Sequence, residues 1–212
     1  MKARERKLHW RIRNIAFAAA CLPLAAFPAV SRSAGAPDEV VALKLDPAQT
    51  TVSITLDATL HTVHGIFKLK AGELDFDPKS GKARGSIVVD ATSGNTDNSS
   101  RDKKMHDEVL ESRKFPEIVF LPEQVSGAIP ANGTSQMKVD GVMRIHGQEH
   151  PVTLVVDVDA PSQSELHVKS HASLPYQKWG MKNPSNFFLH VGDTVEIEIV
   201  AAGQLTSAAG TN

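Results

Sequence analysis

The sequence predicts an all-β, antiparallel fold, a sandwich or a barrel, on three observations. Apolar residues recur with a period of two in one run after another, as strands with a single buried face require. Gly, Pro, Asn and Asp separate the runs at the spacing of an antiparallel meander. The main exception to the strand pattern is residues 95–115.

The runs follow in order. Val52, Ile54, Leu56, Ala58 and Leu60 share one face, with Ser53, Thr55, Asp57 and Thr59 on the other. Phe67, Leu69 and Ala71 then sit on odd positions, but Leu74 and Phe76 on even ones, with Gly72 between them. A glycine bulge at Gly72 would turn all five toward one interior and bend the strand, whereas a turn there would split it in two. Ile87, Val89 and Ala91 continue the alternation. In residues 95–115, Asp97 or Ser99 can cap a short helix, and Met105, Val109 and Leu110 have helical spacing, so a loop with a helical turn is expected to cross one end of the sheet. Met137, Val139, Gly141, Met143 and Ile145 resume the period, followed by Val152 to Val158, Leu166 to Leu174, and Val195, Ile197 and Ile199. Turns are expected at residues 77–81, 127–133 and 147–151 and at Ala160-Pro161, with a loose tail over 204–212.

Charge divides the chain. Residues 1–14 carry six Lys and Arg against one acid, residues 15–30 carry no charge, and Ser31, Ser33 and Ala34 are small. That is the pattern of a cleavable secretory signal peptide over 1–33. The apolar run is 16 residues long and interrupted by Pro23 and Pro28, short of the roughly 20 that a spanning helix needs. The full chain has a net charge of -1. Without residues 1–33 it has 16 Lys and Arg against 23 Asp and Glu and lacks Cys21, the sole cysteine. The expectation is a single cysteine-free, acidic domain over 34–203, not membrane-spanning once mature, suited to an oxidising compartment and unsuited to nucleic acid.

Motifs for catalysis are scarce. His146-Gly-Gln-Glu149-His150 matches H-x-x-E-H, but that zinc chemistry needs a helix to bring the two His to one metal. With Gly147 and Pro151 around it and strands on both sides, a hairpin is expected. His61 and His64 are three apart on a strand and face opposite ways. No G-x-S-x-G, P-loop or G-x-G-x-x-G is present. Arg101-Asp102 could pair locally, and Trp179-Gly180-Met181 could plug the core or line a ligand mouth.

An ordered set of segments resembles the YceI-like family of polyisoprenoid-binding extracytoplasmic proteins. The set runs through Leu45-Asp46-Pro47, Val63-His64-Gly65-Ile66-Phe67, Leu74-Asp75-Phe76-Asp77, Asn95-Thr96-Asp97 and Arg101-Asp102-x-x-Met105. It continues with Ser112-x-x-Phe115-Pro116-x-Ile118-x-Phe120, Val139-Asp140-Gly141-x-Met143-x-Ile145-His146-Gly147 and Pro151-Val152-Thr153-Leu154. The likeness covers about 45–202. It implies a lipocalin-like, eight-stranded antiparallel β-barrel with a short helical crossing segment, holding a long apolar chain. Two departures bear on headgroup preference: Arg144 stands where the family usually has threonine, and the late arginine-bearing loop reads here Leu174-Pro-Tyr-Gln-Lys-Trp179-Gly-Met181.

The resulting expectation is an exported, periplasmic or secreted lipid-binding protein, not an enzyme, that carries or sequesters an isoprenoid or quinone-like chain without a cofactor or metal. The expected apolar lining is Phe67, Leu69, Leu74, Phe76, Val89, Phe120, Met143, Ile145, Leu174 and Trp179. The rival readings are a histidine-metal hydrolase and a solid-cored barrel that binds a partner in a stress response. A homodimer is compatible with either barrel.

Overall fold

A computed structural model describes residues 40–208 apart from Leu60. The segment 1–33, where a signal peptide is expected, and the end of the expected tail, 209–212, lie outside the described residues. Nine strands form one antiparallel sheet: β1 (Val40–Leu45), β2 (Thr51–Leu56), β3 (Val63–Phe76), β4 (Ala83–Asn95), β5 (Glu117–Ser126), β6 (Gly133–Ile145), β7 (Gln148–Ser162), β8 (Glu165–Leu174) and β9 (Val195–Ala208). Helix α1 (Ser99–Lys104) and a π-turn over Met105–Val109 link β4 to β5. Each of β2 to β9 pairs with its neighbour in sequence, and β9 returns to β2, so eight strand positions close into a barrel.

β1 and β2 share one of those positions. β2 pairs with the first part of β3 (Val52↔Phe67) and of β9 (Val52↔Ile199). β1 pairs with their last parts, Leu43↔Leu74 and Leu43↔Leu205. The Leu45-Asp46-Pro47 segment makes the break between them. Asp46 accepts a hydrogen bond from the Ala48 amide at 2.9 Å and caps a 3-10 turn over Pro47–Gln49. Hydrogen bonding to Gln49 and to Ala48 holds its carboxyl below the usual range.

Burial alternates as the period predicted. Met137, Gly141, Met143 and Ile145 in β6 are buried between exposed Lys138 and Arg144. The change of parity in β3 departs from the expected place. β3 is one continuous strand, which excludes a turn at Gly72, and its register slips between Ile66 and Lys68 and again between Leu69 and Ala71. Ala71 therefore points out and is exposed, while Gly72 is an inward position against Leu45. A Cβ there would come within 2.8 Å of the Leu45 side chain.

Three local expectations change. Asn98, not Asp97 or Ser99, caps α1, its Oδ1 accepting from the Arg101 amide at 3.0 Å. Ala160 and Pro161 lie inside β7, and the turn falls after Ser162. Residues 204–208 are not tail but the last part of β9, paired with β1. In the last two cases cross-strand hydrogen bonding outweighs the local turn or tail signal. Among the described residues no helix is long and apolar enough to cross a membrane.

Candidate functional site: an apolar barrel interior

One end of the barrel gathers the β2–β3, β4–β5, β6–β7 and β8–β9 connections; this is the loop end. The opposite end carries the remaining hairpins and both ends of the described chain. Two apolar clusters fill the interior. One contains Leu43, Leu45, Phe67, Leu69, Val89, Met137, Val158 and Leu166. The other, toward the loop end, contains Phe120, Met143, Ile145, Leu154, Leu174, Tyr176 and Met181. Ile87, Ile118, Val156 and Ile197 pack against both, and so define the waist between them.

The waist is incompletely covered. Those four residues face inward, in strands paired on both sides, yet each is only half-buried, as are Ile54 and Val139. A densely packed interior would bury such positions completely.

The expected lining residues map onto this interior with one exception. Phe67, Leu69 and Val89 belong to the first cluster, and Leu74 packs against it. Phe120, Met143, Ile145 and Leu174 belong to the second, and Trp179 packs against that one. Phe76 is half-buried at the end of β3 opposite Ala83 and belongs to neither. Ile54, Ile87, Ile118, Val139, Val156 and Ile197 were not among the expected lining residues, although period two already placed Ile54, Ile87, Val139 and Ile197 on one face of their strands.

Polar groups near the loop end are engaged with the protein itself. Arg101 and Asp102 do not pair with each other; both hold Thr96. The Thr96 amide and hydroxyl donate to Asp102 Oδ1 at 2.9 and 2.5 Å, and Arg101 donates to Thr96 Oγ1 at 2.8 Å and to its carbonyl at 2.6 Å. His106 lies 2.9 Å from both Ser112 Oγ and the Gly94 carbonyl. The carbonyl can only accept, so His106 Nε2 carries a proton. Ser112 is 2% exposed. These bonds seat the crossing segment on the β4 end, so that Met105 and Leu110 reach the core.

The H-x-x-E-H segment is a hairpin. His146 and Gly147, with φ of 51° and 74°, form the two-residue turn between β6 and β7. His146 Nε2 lies 2.6 Å from Glu111 Oε2, Glu149 pairs with Arg144 at 2.6 Å, and His150 stacks on Trp179 with centroids 4.2 Å apart. The three side chains have three different partners, and no metal-binding group of His, Cys, Asp or Glu occurs among the described residues. Arg144 faces outward opposite Glu149, so this departure from the family pattern lies on the wall, away from the interior.

His150 is the inward polar residue that the sequence did not reveal. It is paired with Met143 on the interior face of β7, its buried Nε2 has no hydrogen-bond partner, and burial lowers its pKa. Tyr176 donates its hydroxyl to the Gly192 carbonyl at 2.7 Å, and burial with Asp193 nearby raises its pKa.

The YceI-like domain family model matches residues 43–202. Among solved structures, a polyisoprenoid-binding domain from Saccharophagus degradans implicated in plant cell wall breakdown aligns with a TM-score of 0.64 at 15% identity, over 77% of this chain and 98% of that one. BcnA of Burkholderia cenocepacia aligns at 0.62 with 17% identity, over 74% and 98%. The YCEI protein of Campylobacter jejuni aligns at 0.57 with 18% identity, over 69% and 86%. These likenesses concern the fold. No curated protein matches the chain.

Proposed function

Because the chain belongs to the YceI-like family, we propose that its barrel holds a polyisoprenoid or quinone-like chain, for carriage or sequestration, as an exported periplasmic or secreted protein. The observation that carries this reading is the set of half-buried, inward aliphatic side chains Ile54, Ile87, Ile118, Val139, Val156 and Ile197, beside which the inward Ser170 hydroxyl is already bonded to the Val155 carbonyl at 2.9 Å. A hydrocarbon chain makes no hydrogen bonds, so its site needs apolar walls and little else. Burial contributes about 25 cal/mol per Å² of apolar surface, enough for a long chain to be held without a catalytic constellation. The binding domain of Saccharophagus degradans, with the same fold, supports the choice of ligand class.

Binding rather than catalysis is the favoured reading because Arg101, Asp102 and His106 at the loop end are bonded within the crossing segment and its β4 seat, and His146 and Glu149 each have a separate partner. Organic extraction of the purified protein followed by mass spectrometry tests the proposal. The expected result is a co-purifying prenyl lipid, or uptake of added polyprenol or ubiquinone. Neither recovery nor uptake would leave the barrel as a solid-cored, partner-binding protein.

A further inference from the structure

Phe187 and Phe188 are 94% and 86% exposed, the two most exposed large apolar side chains among the described residues. They lie in the β8–β9 connection at the loop end, their rings 5.1 Å apart and edge to face. Their position is built. Asn186 Oδ1 accepts from the Phe188 and Leu189 amides at 2.9 Å, and the Asn186 amide donates to the Leu189 carbonyl at 2.9 Å. Ser185 Oγ accepts from the Val191 amide at 2.8 Å, and Lys104 Nζ donates to the Pro184 carbonyl at 2.9 Å. The same connection sends Tyr176 and Met181 into the core.

We propose that Phe187 and Phe188 form a membrane-insertion tip, by which the protein docks loop end first on a lipid surface. Three observations favour a bilayer as the occupant. First, the tip is small. Two Phe side chains present roughly 150–250 Å² each, well below the about 800 Å² per partner of a stable protein interface. A bilayer interface accepts a pair of aromatic rings as a shallow wedge. Second, charge is distributed to suit. The four loop-end connections carry seven Lys and Arg against seven Asp and Glu, whereas the rest of the described chain carries nine against fourteen. The loop end is therefore neutral where the strands of the barrel wall are acidic, so an anionic lipid surface does not repel it. Third, on the reading of the interior as an apolar-chain site, this end places the tip beside the cluster that closes the barrel.

The test is sedimentation with phosphatidylethanolamine–phosphatidylglycerol vesicles. The purified protein should co-sediment, and Phe187→Ser with Phe188→Ser should weaken partitioning at least tenfold. Val200→Ser, at a 45% exposed position on the barrel wall, should leave it unchanged. Phe188→Trp should shift its emission to the blue on vesicle addition and be quenched by brominated lipid. Failure of the protein to bind vesicles, or unchanged binding by the double variant, overturns the proposal. So does a dimer in sedimentation velocity that the double variant dissolves, which would assign the tip to a second copy. Prenyl-lipid content is measured on the same samples. An empty barrel with Phe-dependent vesicle binding would sink the interior reading alone, and a loaded barrel without vesicle binding would sink the docking proposal alone.

Discussion

Met143 is 7% exposed and faces His150 across the β6–β7 pair, so a charge there has neither water nor a partner. Met143→Arg is expected to abolish folding or lipid retention, as an isolated buried charge costs several kcal/mol; a stable variant with its lipid retained, checked by thermal melts and extraction, would place this face outside. His150 leads to a pH effect. Burial lowers its pKa in the fold, so below about 6.5 the unfolded chain takes up more protons than the folded one. Its neutral form therefore favours the fold fully above that pH, and the advantage fades as pH falls toward the lowered value. His150→Phe should show a smaller drop in Tm between pH 7.5 and 5.5 than the parent. At this scale the sequence was partly legible. Period two picked out Met143 as inward, but His150 beside Gly147 and Pro151 looked like a turn residue. Only the two-residue length of the hairpin puts it back on a strand, facing in.

At the scale of elements, the hairpins and the crossing segment carry the next expectations. Gly147 has φ of 74°, and a Cβ there would meet Phe115 Cε1 at 2.5 Å. Gly147→Val should destabilise by about 1–3 kcal/mol, read in urea unfolding. Arg101→Ala removes two of the bonds on Thr96. It should loosen the 95–116 connection, raising its amide hydrogen exchange while the strands keep their protection. The strands themselves were readable because one buried face imposes strict alternation. The β3 bulges were displaced from Gly72 to either side of Phe67–Leu69, since what decides a bulge is the register with β4, which no local pattern contains. Arg101 and Asp102 were legible as residues that fix the loop, but the expected ion pair between them does not form: both bond Thr96, which only the folded loop brings to them.

For the whole molecule, the decisive quantity is how well the waist is filled. Val156→Phe adds volume at a half-buried inward position. In a packed core such a change costs about 1–3 kcal/mol. In a barrel with room for a hydrocarbon chain it should leave Tm nearly unchanged and displace the prenyl lipid, checked by melts and mass spectrometry on one preparation. The closed barrel and its eight positions followed from strand spacing and family likeness together. The ninth strand did not, because β1 and β2 divide one position by a break that only the Asp46 cap announces.

That division has a topological consequence. Val40 and Ala208 are direct register partners, so the chain meets itself where it enters and leaves the sheet. A short linker could join these two points, and new termini could be opened in the 127–132 hairpin, giving a circular permutant of the same barrel. It also means that ring closure waits for the final strand. A chain truncated before Val195 would expose the edge of β8 on one side and those of β1 and β2 on the other, open templates for pairing with other chains.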